Sequence, residues 1–214
     1  MATTPTSSSR IESCQICRLD GWLVSGGVVR PCQCQIERRI AFALPPLYRA
    51  AELSHFMPPV QQKVRTCLEK PSNGLLFYGP TGTGKTYLAA ATVRERLLKS
   101  ERAIFRRCIQ LYADLRECYR LNGNERNVLR EYFEEPFLVL DDLGAGSFSD
   151  HERRYTLEVI EERLNYCLPT VVTTNLDLDG IARLMDDRIA SRLATYELIK
   201  LCGADRRLHK DATP

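Results

Sequence analysis

The sequence lacks any apolar run close to the roughly 20 residues that a membrane-spanning helix needs. Its first ten residues, MATTPTSSSR, lack the apolar stretch of a secretory signal peptide, so we expect a cytoplasmic protein with a disordered tail at 1–10. A strong charge of either sign is also missing, and the net charge of +3 neither requires nor excludes a nucleic-acid partner. The overall composition, with 44% hydrophobic and 27% charged residues, is ordinary for a globular protein that buries a hydrophobic core.

The nine cysteines are an odd number, which argues against a fully paired secreted framework. Four of them form two close pairs in CQICRLDGWLVSGGVVRPCQC: Cys14 with Cys17, and Cys32 with Cys34. SGG predicts the turn of a hairpin whose strands, GWLV and VVR, carry the pairs. Two pairs at this spacing are typical of a tetrahedral Zn²⁺ site, although four reduced cysteines on a flexible arm are the alternative. We therefore predict a zinc-binding module at 11–40.

A phosphate-binding loop is predicted at 79–86, where GPTGTGKT fits the pattern G-x-x-x-x-G-K-[ST]. Glycines allow positive φ, so successive N–H groups can point at an anion. Lys85 would place its ammonium on the β- and γ-phosphates, and Thr86 would offer its hydroxyl to Mg²⁺. GLLFY before the loop predicts a strand and TYLAAATVRERLL after it a helix, which is the context that the motif needs. The predicted nucleotide-binding residues are Gly79, Pro80, Thr81, Gly82, Thr83, Gly84, Lys85 and Thr86.

Two acids follow a second apolar strand in FLVLDDLG. Asp141 is predicted to hold Mg²⁺ with Thr86, and Asp142 to orient or deprotonate the attacking water. Two adjacent acids could instead simply mark the solvent-exposed end of a strand. The phosphate-binding loop upstream favours the interpretation that they take part in catalysis. Asp142 is one methylene shorter than a glutamate, which favours slow hydrolysis.

Helices and strands alternate from there on, which predicts an α/β fold with a parallel sheet. A long amphipathic helix, DHERRYTLEVIEERLNYC, has Asp150 as its expected N-cap. The five predicted strands are GLLFY, AIFRRC, FLVLD, TVVTTN and YELIKL.

Three polar residues late in the chain are further candidates. Asn175 ends TVVTTN at the sheet edge where open α/β sheets bind ligands, so it could hydrogen-bond the attacking water or the γ-phosphate, or merely close the strand in a turn. Arg188 and Arg192 in DDRIASRL share one helical face. Either arginine could be an arginine finger that reaches a neighbouring subunit's γ-phosphate. The alternative is a solvated helix with ordinary salt bridges.

The chain resembles the DnaC/IstB-type AAA+ ATPases over residues 45 to about 207, where six segments have the same order and spacing: LPPLYRAAEL, GLLFYGPTGTGKTYLAAA, FLVLDDLG, TVVTTNL, DRIASRL and GADRR. The resemblance implies a three-layer P-loop NTPase with a five-stranded parallel sheet, and an AAA+ ATPase domain at 41–214. It implies that Asn175 is sensor 1, that Arg192 is the finger, and that Arg206 or Arg207 faces the nucleotide or a neighbour. The cysteines resemble zinc modules of some members. Only CGADRRLHKDATP follows the fifth strand, so we expect no C-terminal helical lid.

The family comprises bacterial and phage helicase loaders and ATP-dependent regulators of insertion-sequence transposition. The resemblance implies slow, partner- or DNA-stimulated hydrolysis of ATP, self-association through the ATP site, a replicative DNA helicase as partner and contact with single-stranded DNA. The basic run VRERLLKSERAIFRR could neutralise DNA phosphates or simply be a solvated surface. The zinc module and the missing lid favour a helicase loader, with an IstB-like transposition regulator or a non-hydrolysing nucleotide-binding adaptor as alternatives.

Overall fold

The computed structural model describes residues 14–18, 21–69, 74–146, 148–203 and 205. At its centre lies a five-stranded sheet of order β4-β5-β6-β3-β7, in which all neighbouring strands run parallel. All five segments predicted as strands form this sheet, so the predicted α/β fold with a five-stranded parallel sheet is confirmed. The strands are β3 (Leu75–Tyr78), β4 (Ile104–Arg107), β5 (Leu138–Leu143), β6 (Thr170–Thr174) and β7 (Glu197–Lys200).

The sheet is apolar on both faces because successive residues of a strand point to opposite sides. In β3, Leu75 and Phe77 join one hydrophobic cluster and Leu76 joins the other. In β5, Val139 belongs to the first cluster and Leu140 to the second. Both faces are therefore covered by other elements.

Helices form the two outer layers. The first cluster includes residues of α1 and α3, and the second includes residues of α4, α5, α6, α7 and α8, which makes a three-layer sandwich. In the described part of the chain the helices are α1 (Gln33–Ala43), α2 (Pro58–Glu69), α3 (Lys85–Leu98), α4 (Cys108–Arg120), α5 (Glu125–Glu134), α6 (Asp150–Asn165), α7 (Leu178–Leu184) and α8 (Asp187–Leu193). None of them is long and apolar enough to cross a membrane.

The prediction of Asp150 as the N-cap of α6 is wrong by one residue. Ser149 is the N-cap, and its hydroxyl accepts a hydrogen bond from the backbone N–H of Glu152. The Glu152 carboxylate accepts the backbone N–H of Ser149 in return, which completes a capping box. Helices α1, α5 and α7 were not predicted from the sequence.

An antiparallel hairpin of β1 (Trp22–Ser25) and β2 (Val28–Pro31) precedes the sandwich, with Gly26 and Gly27 in its turn. The hairpin was predicted, but the second cysteine pair lies at the start of α1 rather than on a strand. Helix α1 then continues across residue 40 and buries Ile40 and Ala43 in the first cluster. The division of the chain near residue 41 stays a prediction. The predicted tail at 1–10 lies outside the described residues. So do residues 206–214, most of the segment after the fifth strand in which we expect no helical lid.

A buried arginine connects the second helical layer to the sheet. Arg163 of α6 is fully buried, and its guanidinium donates to the carbonyl oxygens of Tyr132, Glu135 and Pro169 at 2.9, 2.9 and 3.0 Å. It also donates to the hydroxyl of Thr170 at 2.7 Å. Burial lowers the pKa of Arg163 to about 10, which is still high enough to keep the guanidinium charged at neutral pH. The charged group satisfies acceptors at the end of α5 and the start of β6.

Candidate nucleotide site and cysteine cluster

The glycine-rich segment 79–84 joins the end of β3 to the start of α3. Gly79, Gly82 and Gly84 have φ angles of +136°, +79° and +94°. A Cβ atom on Gly79 would lie 2.1 Å from the carbonyl oxygen of Leu201, so only glycine fits there. Gly84 is the N-cap of α3 and offers no side-chain acceptor to the first N–H groups of the helix. These groups and the helix dipole form a site suited to an anion.

Lys85 is the first residue of α3 and is only 7% exposed. Its Nζ donates to the carbonyl oxygens of Gly79 and Pro80 at 2.8 and 2.7 Å. The hydroxyl of Thr83 also donates to the Pro80 carbonyl, at 2.9 Å. These bonds hold a positive charge beside the N–H groups of the helix start, where phosphate was predicted to bind.

The two residues predicted to hold magnesium lie close to each other. Asp141 of β5 is 4% exposed, and its carboxylate accepts a hydrogen bond from the hydroxyl of Thr173 at 2.7 Å. Burial raises the pKa of Asp141, and the hydroxyls of Thr173 and Thr86 oppose that rise. A carboxylate beside a hydroxyl at a helix start offers the oxygen ligands that Mg²⁺ prefers.

Asp142 has a strained backbone. The pairing of β5 with β6 shifts register between Leu140 and Leu143, and within this bulge Asp142 has φ +61°. Its backbone N–H donates to the Thr173 hydroxyl at 2.9 Å, so Thr173 contacts both acids. Bulges redirect side chains, and left-handed backbone at a non-glycine residue is concentrated at functional sites. The sequence predicted the acid but neither this geometry nor Thr173.

Arg107 is a site residue that the sequence analysis missed, since it was counted only within the basic run. It ends β4 directly opposite Asp141. Burial raises the pKa of Asp141, and the positive charge of Arg107 opposes that rise. The carboxyl ends of neighbouring parallel strands meet at one edge, so its position at a strand end was the available signal.

Asn175 and the chain beyond β7 approach the same edge. Asn175 directly follows β6 and is exposed. A Cβ atom on Gly82 would lie 2.0 Å from Cγ of Asp205, so the carboxylate of Asp205 lies against the glycine loop. Arg206 and Arg207, predicted to face the nucleotide or a neighbour, lie outside the described residues.

Arg188 and Arg192 lie on α8, toward the opposite end of the sheet. Helix α8 precedes β7, whose first residue, Glu197, pairs with Leu75 at the beginning of β3. The glycine loop follows the other end of β3. The structure therefore does not bring these two arginines together with the loop of the same chain.

The basic run at 93–107 is divided between α3 and β4, and most of its cations are ion-paired. The carboxylate partners compete with any phosphate, which weakens the case for a DNA-binding face here. Contact with single-stranded DNA stays a prediction. The pairs are Arg94 with Glu52, Arg96 with Glu101, Lys99 with Glu95, Arg102 with Glu135, and Arg106 with Glu131.

The four predicted metal ligands come together. The sulfur atoms of Cys14, Cys17, Cys32 and Cys34 all lie within 4.8 Å of one another. The Cys14–Cys32 and Cys17–Cys34 sulfur distances are 3.8 and 3.4 Å. Four thiolates about 2.3 Å from one zinc ion stand about 3.8 Å apart, so the cluster fits a tetrahedral metal site. Backbone N–H groups of Cys17 and Ile16 lower the pKa of Cys14 to about 6, whereas the hydrogen bond with the Cys17 side chain raises the pKa of Cys34 to about 12.

The parallel sheet, the glycine loop after its strand β3 and the acids at the end of β5 define a P-loop ATPase of the AAA+ class. A crystal structure of the DnaC helicase loader has the same fold, with a TM-score of 0.64 and 27% sequence identity over 74% of this chain and 100% of that chain. The chain belongs to the family of IstB-like ATP binding proteins, whose model matches residues 62–201. The resemblance to DnaC/IstB-type AAA+ ATPases is thus confirmed.

Both branches of this group are represented among its relatives. The replicative helicase loader DnaC of Escherichia coli K12 is 26% identical over 119 residues, covering 55% of this chain and 49% of that protein. A protein of insertion sequence IS1162 from Pseudomonas fluorescens, named as an ATP-binding protein, is 31% identical over 104 residues, covering 49% of this chain and 44% of that protein. The chain spans about half the length of these curated relatives.

Proposed function

We propose that this protein is an ATP-hydrolysing helicase loader, which engages a replicative DNA helicase and helps to place it on single-stranded DNA. The observation that carries the ATP chemistry is the position of the buried Asp141 carboxylate close to Thr86, beside the glycine loop. The loader role is supported by the similarity to the solved chain of a helicase loader, which this chain covers in full.

Each site residue has a role in this proposal. The phosphates of ATP lie on the N–H groups of 79–86 and beside Lys85. Thr86 and Asp141 would hold Mg²⁺, which neutralises phosphate charge when bound. Asp142 orients or deprotonates the attacking water, and Asn175 hydrogen-bonds the water or the γ-phosphate. Phosphate release from ATP by the purified protein tests this assignment, and ATP binding without any release would identify the non-hydrolysing adaptor instead.

Arg192 acts on the ATP of a second copy of this chain. Its position toward the far end of the sheet from its own glycine loop supports a role in trans. Arg192→Ala should lower hydrolysis about 1,000-fold with ATP binding unchanged, because an arginine finger stabilises charge that develops in the transition state. Arg188→Ala is the matched comparison and should have a smaller effect, since both carboxylate oxygens of Asp186 hold its guanidinium against the start of its own helix.

Mixing two inactive variants tests the role in trans. Lys85→Ala protein cannot bind ATP but still supplies Arg192, whereas Arg192→Ala protein binds ATP but supplies no finger. Their mixture should recover part of the hydrolysis at the interfaces where the two meet. No recovery, with co-assembly confirmed by light scattering, would exclude the role in trans.

The helicase contact is proposed for the hairpin. Val24 and Val29 are direct cross-strand partners, and Trp22 lies two residues from Val24 on the same face. These three side chains are 73%, 60% and 50% exposed, so they do not pack on the chain's own core. A rigid apolar face of this kind suits a protein partner.

A pull-down of the host's purified replicative helicase tests this contact. The double variant Val24→Ser, Val29→Ser should lose the helicase and keep ATP binding. Val28→Ser is the matched control, because Val28 pairs with Ser25 and points to the opposite face. Equal helicase recovery by the double variant and the wild type would contradict the proposal.

The second candidate is an IstB-like regulator of transposition, favoured by the similarity to the insertion-sequence protein. Such a regulator should bind duplex DNA in an ATP-dependent way and keep its partner contacts when the hairpin face is altered. ATP-dependent binding to labelled duplex DNA, compared with a single strand of the same sequence, separates it from a loader.

A further inference from the structure

The guanidinium of Arg192 is held by one carboxylate from another helix. Its Nε and Nη2 atoms both lie 3.0 Å from Oε1 of Glu161, which is 31 residues away in the sequence. Glu161 lies near the end of α6, and α6 packs directly against α8. One edge of the guanidinium is therefore occupied, and within the described part of the chain Nη1 on the other edge has no hydrogen-bond partner.

This pair stands in the wall of an open cavity of about 380 Å³. Leu164 and Thr195 also line it, and the Thr195 hydroxyl donates to the carbonyl oxygen of Arg192 at 2.7 Å. Half of the Arg192 side chain remains accessible. The free edge of the guanidinium is thus available at the molecular surface rather than enclosed.

Arg188, one turn earlier, is held differently. Its Nε and Nη2 atoms bind the two carboxylate oxygens of Asp186 at 3.0 Å each. Asp186 is the N-cap of the same helix, so this contact ties Arg188 to its own helix start. Glu161 belongs to a different element, so its contact fixes the end of the Arg192 side chain relative to the body of the domain.

We propose that Glu161 is a positioning residue for Arg192, which holds the guanidinium so that its Nη1 edge meets the phosphates of ATP bound to a second copy of this chain. This inference rests on the role of Arg192 in trans proposed above. A long arginine side chain samples many rotamers, and transition-state charge is stabilised best by donors that are in place before the reaction. A carboxylate on the Nε edge removes much of that freedom and leaves the other edge free to donate.

The first test is a set of substitutions on α6. Glu161→Ala should lower the hydrolysis rate of the assembled protein about tenfold with the affinity for ATP unchanged, since a misplaced catalytic group loses rate rather than substrate. Glu161→Gln keeps a side-chain oxygen acceptor and should recover part of that loss. Glu158→Ala is the control, because Glu158 is exposed on the same helix, and it should match the wild type. The exposed pair adds little to folding stability, so all three variants should unfold at the wild-type temperature.

The second test places Glu161→Ala in one partner of the mixture at a time. In the Lys85→Ala chain, which donates the finger, the substitution should reduce the recovered hydrolysis about tenfold. In the Arg192→Ala chain, which only holds ATP, it should have no effect. A merely structural role would give equal losses in both placements.

Three results would overturn the inference: an equal loss in both placements, no loss in the donor, or faster hydrolysis, which would mean that Glu161 restrains Arg192. Failure of the underlying proposal looks different. In that case the Lys85→Ala and Arg192→Ala chains recover no hydrolysis even with Glu161 intact, and the inference falls with it.

Discussion

The N-terminal hairpin and the sandwich domain are stabilised in different ways. In the sandwich, the β3, β5 and β6 side chains are almost completely buried between two layers of helices. In the hairpin, neither β1 nor β2 contains a buried residue, and the described side chains buried between 14 and 32 are those of Cys17 and Cys32. The hairpin therefore has no hydrophobic core of its own to hold it.

Because of this difference, the stability of the hairpin and its proposed recognition of a partner depend on different residues. A segment without a core requires another source of stability, and a metal bound by four thiolates can supply it. Because the hairpin's apolar side chains are not needed to fill a core, they remain free to contact a partner. The sandwich instead uses its core to hold a strained Asp142 and a buried Lys85 in fixed positions.

Metal removal should produce the largest contrast between the two parts. We expect about one zinc per chain, because four thiolates at this spacing match tetrahedral Zn²⁺, and structural zinc contributes on the order of 10 kcal/mol to folding. Chelation should unfold 14–32 while ATP binding persists, measured by amide hydrogen exchange and by nucleotide titration. Absence of metal from protein purified without chelator would contradict this assignment.

Asp142→Asn should stop the chemistry of the sandwich without weakening its binding of ATP. An amide cannot accept the proton of the attacking water, so hydrolysis should fall at least about 100-fold. Asparagine tolerates the left-handed backbone at this position, which makes it a better variant than alanine. Wild-type phosphate release by this variant would remove Asp142 from the catalytic residues.

Arg163→Leu tests how much buried hydrogen bonds contribute to the stability of the sandwich. The substitution leaves buried carbonyl groups without donors, so the free energy of unfolding should fall by about 3 kcal/mol in urea titrations. Arg126→Leu, at an exposed site on α5, should change it little. Equal effects of the two substitutions would show that the contacts of Arg163 contribute nothing specific.

Ser149→Ala should have the smallest effect, since it removes one side-chain cap from α6. The expected loss is about 1 kcal/mol. Asp150→Ala serves as the comparison, because Asp150 was the predicted cap yet contributes no capping bond. Thermal unfolding of both variants shows which substitution destabilises the protein more. A larger loss of stability for Asp150→Ala would contradict the observed capping box.

Local patterns were enough to predict much of this molecule. The glycine loop, the five strands and the cysteine spacing each depend on residues close together in the sequence, and they predicted the fold and the candidate site residues. Helix α5 was missed because its polar sequence, ERNVLREYFE, carries only a narrow apolar stripe.

Contacts between distant segments could not be predicted in the same way. Thr173 contacts both acids across 31 and 32 residues, Arg107 reaches Asp141 only through strand order, and Glu161 meets Arg192 across two helices. The bulge that sets the backbone of Asp142 also depends on the pairing of β5 with β6. Each of these features needs the tertiary structure.

The most direct test of the account measures two affinities on one variant. Cys17→Ser should remove one of the four proposed metal ligands beside the hairpin, and Cys167→Ser, at an exposed cysteine outside the cluster, is the control. We predict that Cys17→Ser loses capture of the replicative helicase and binds ATP with wild-type affinity, while the control keeps both. Loss of ATP binding, or undiminished capture of the helicase by Cys17→Ser, would contradict the separation of recognition from nucleotide chemistry.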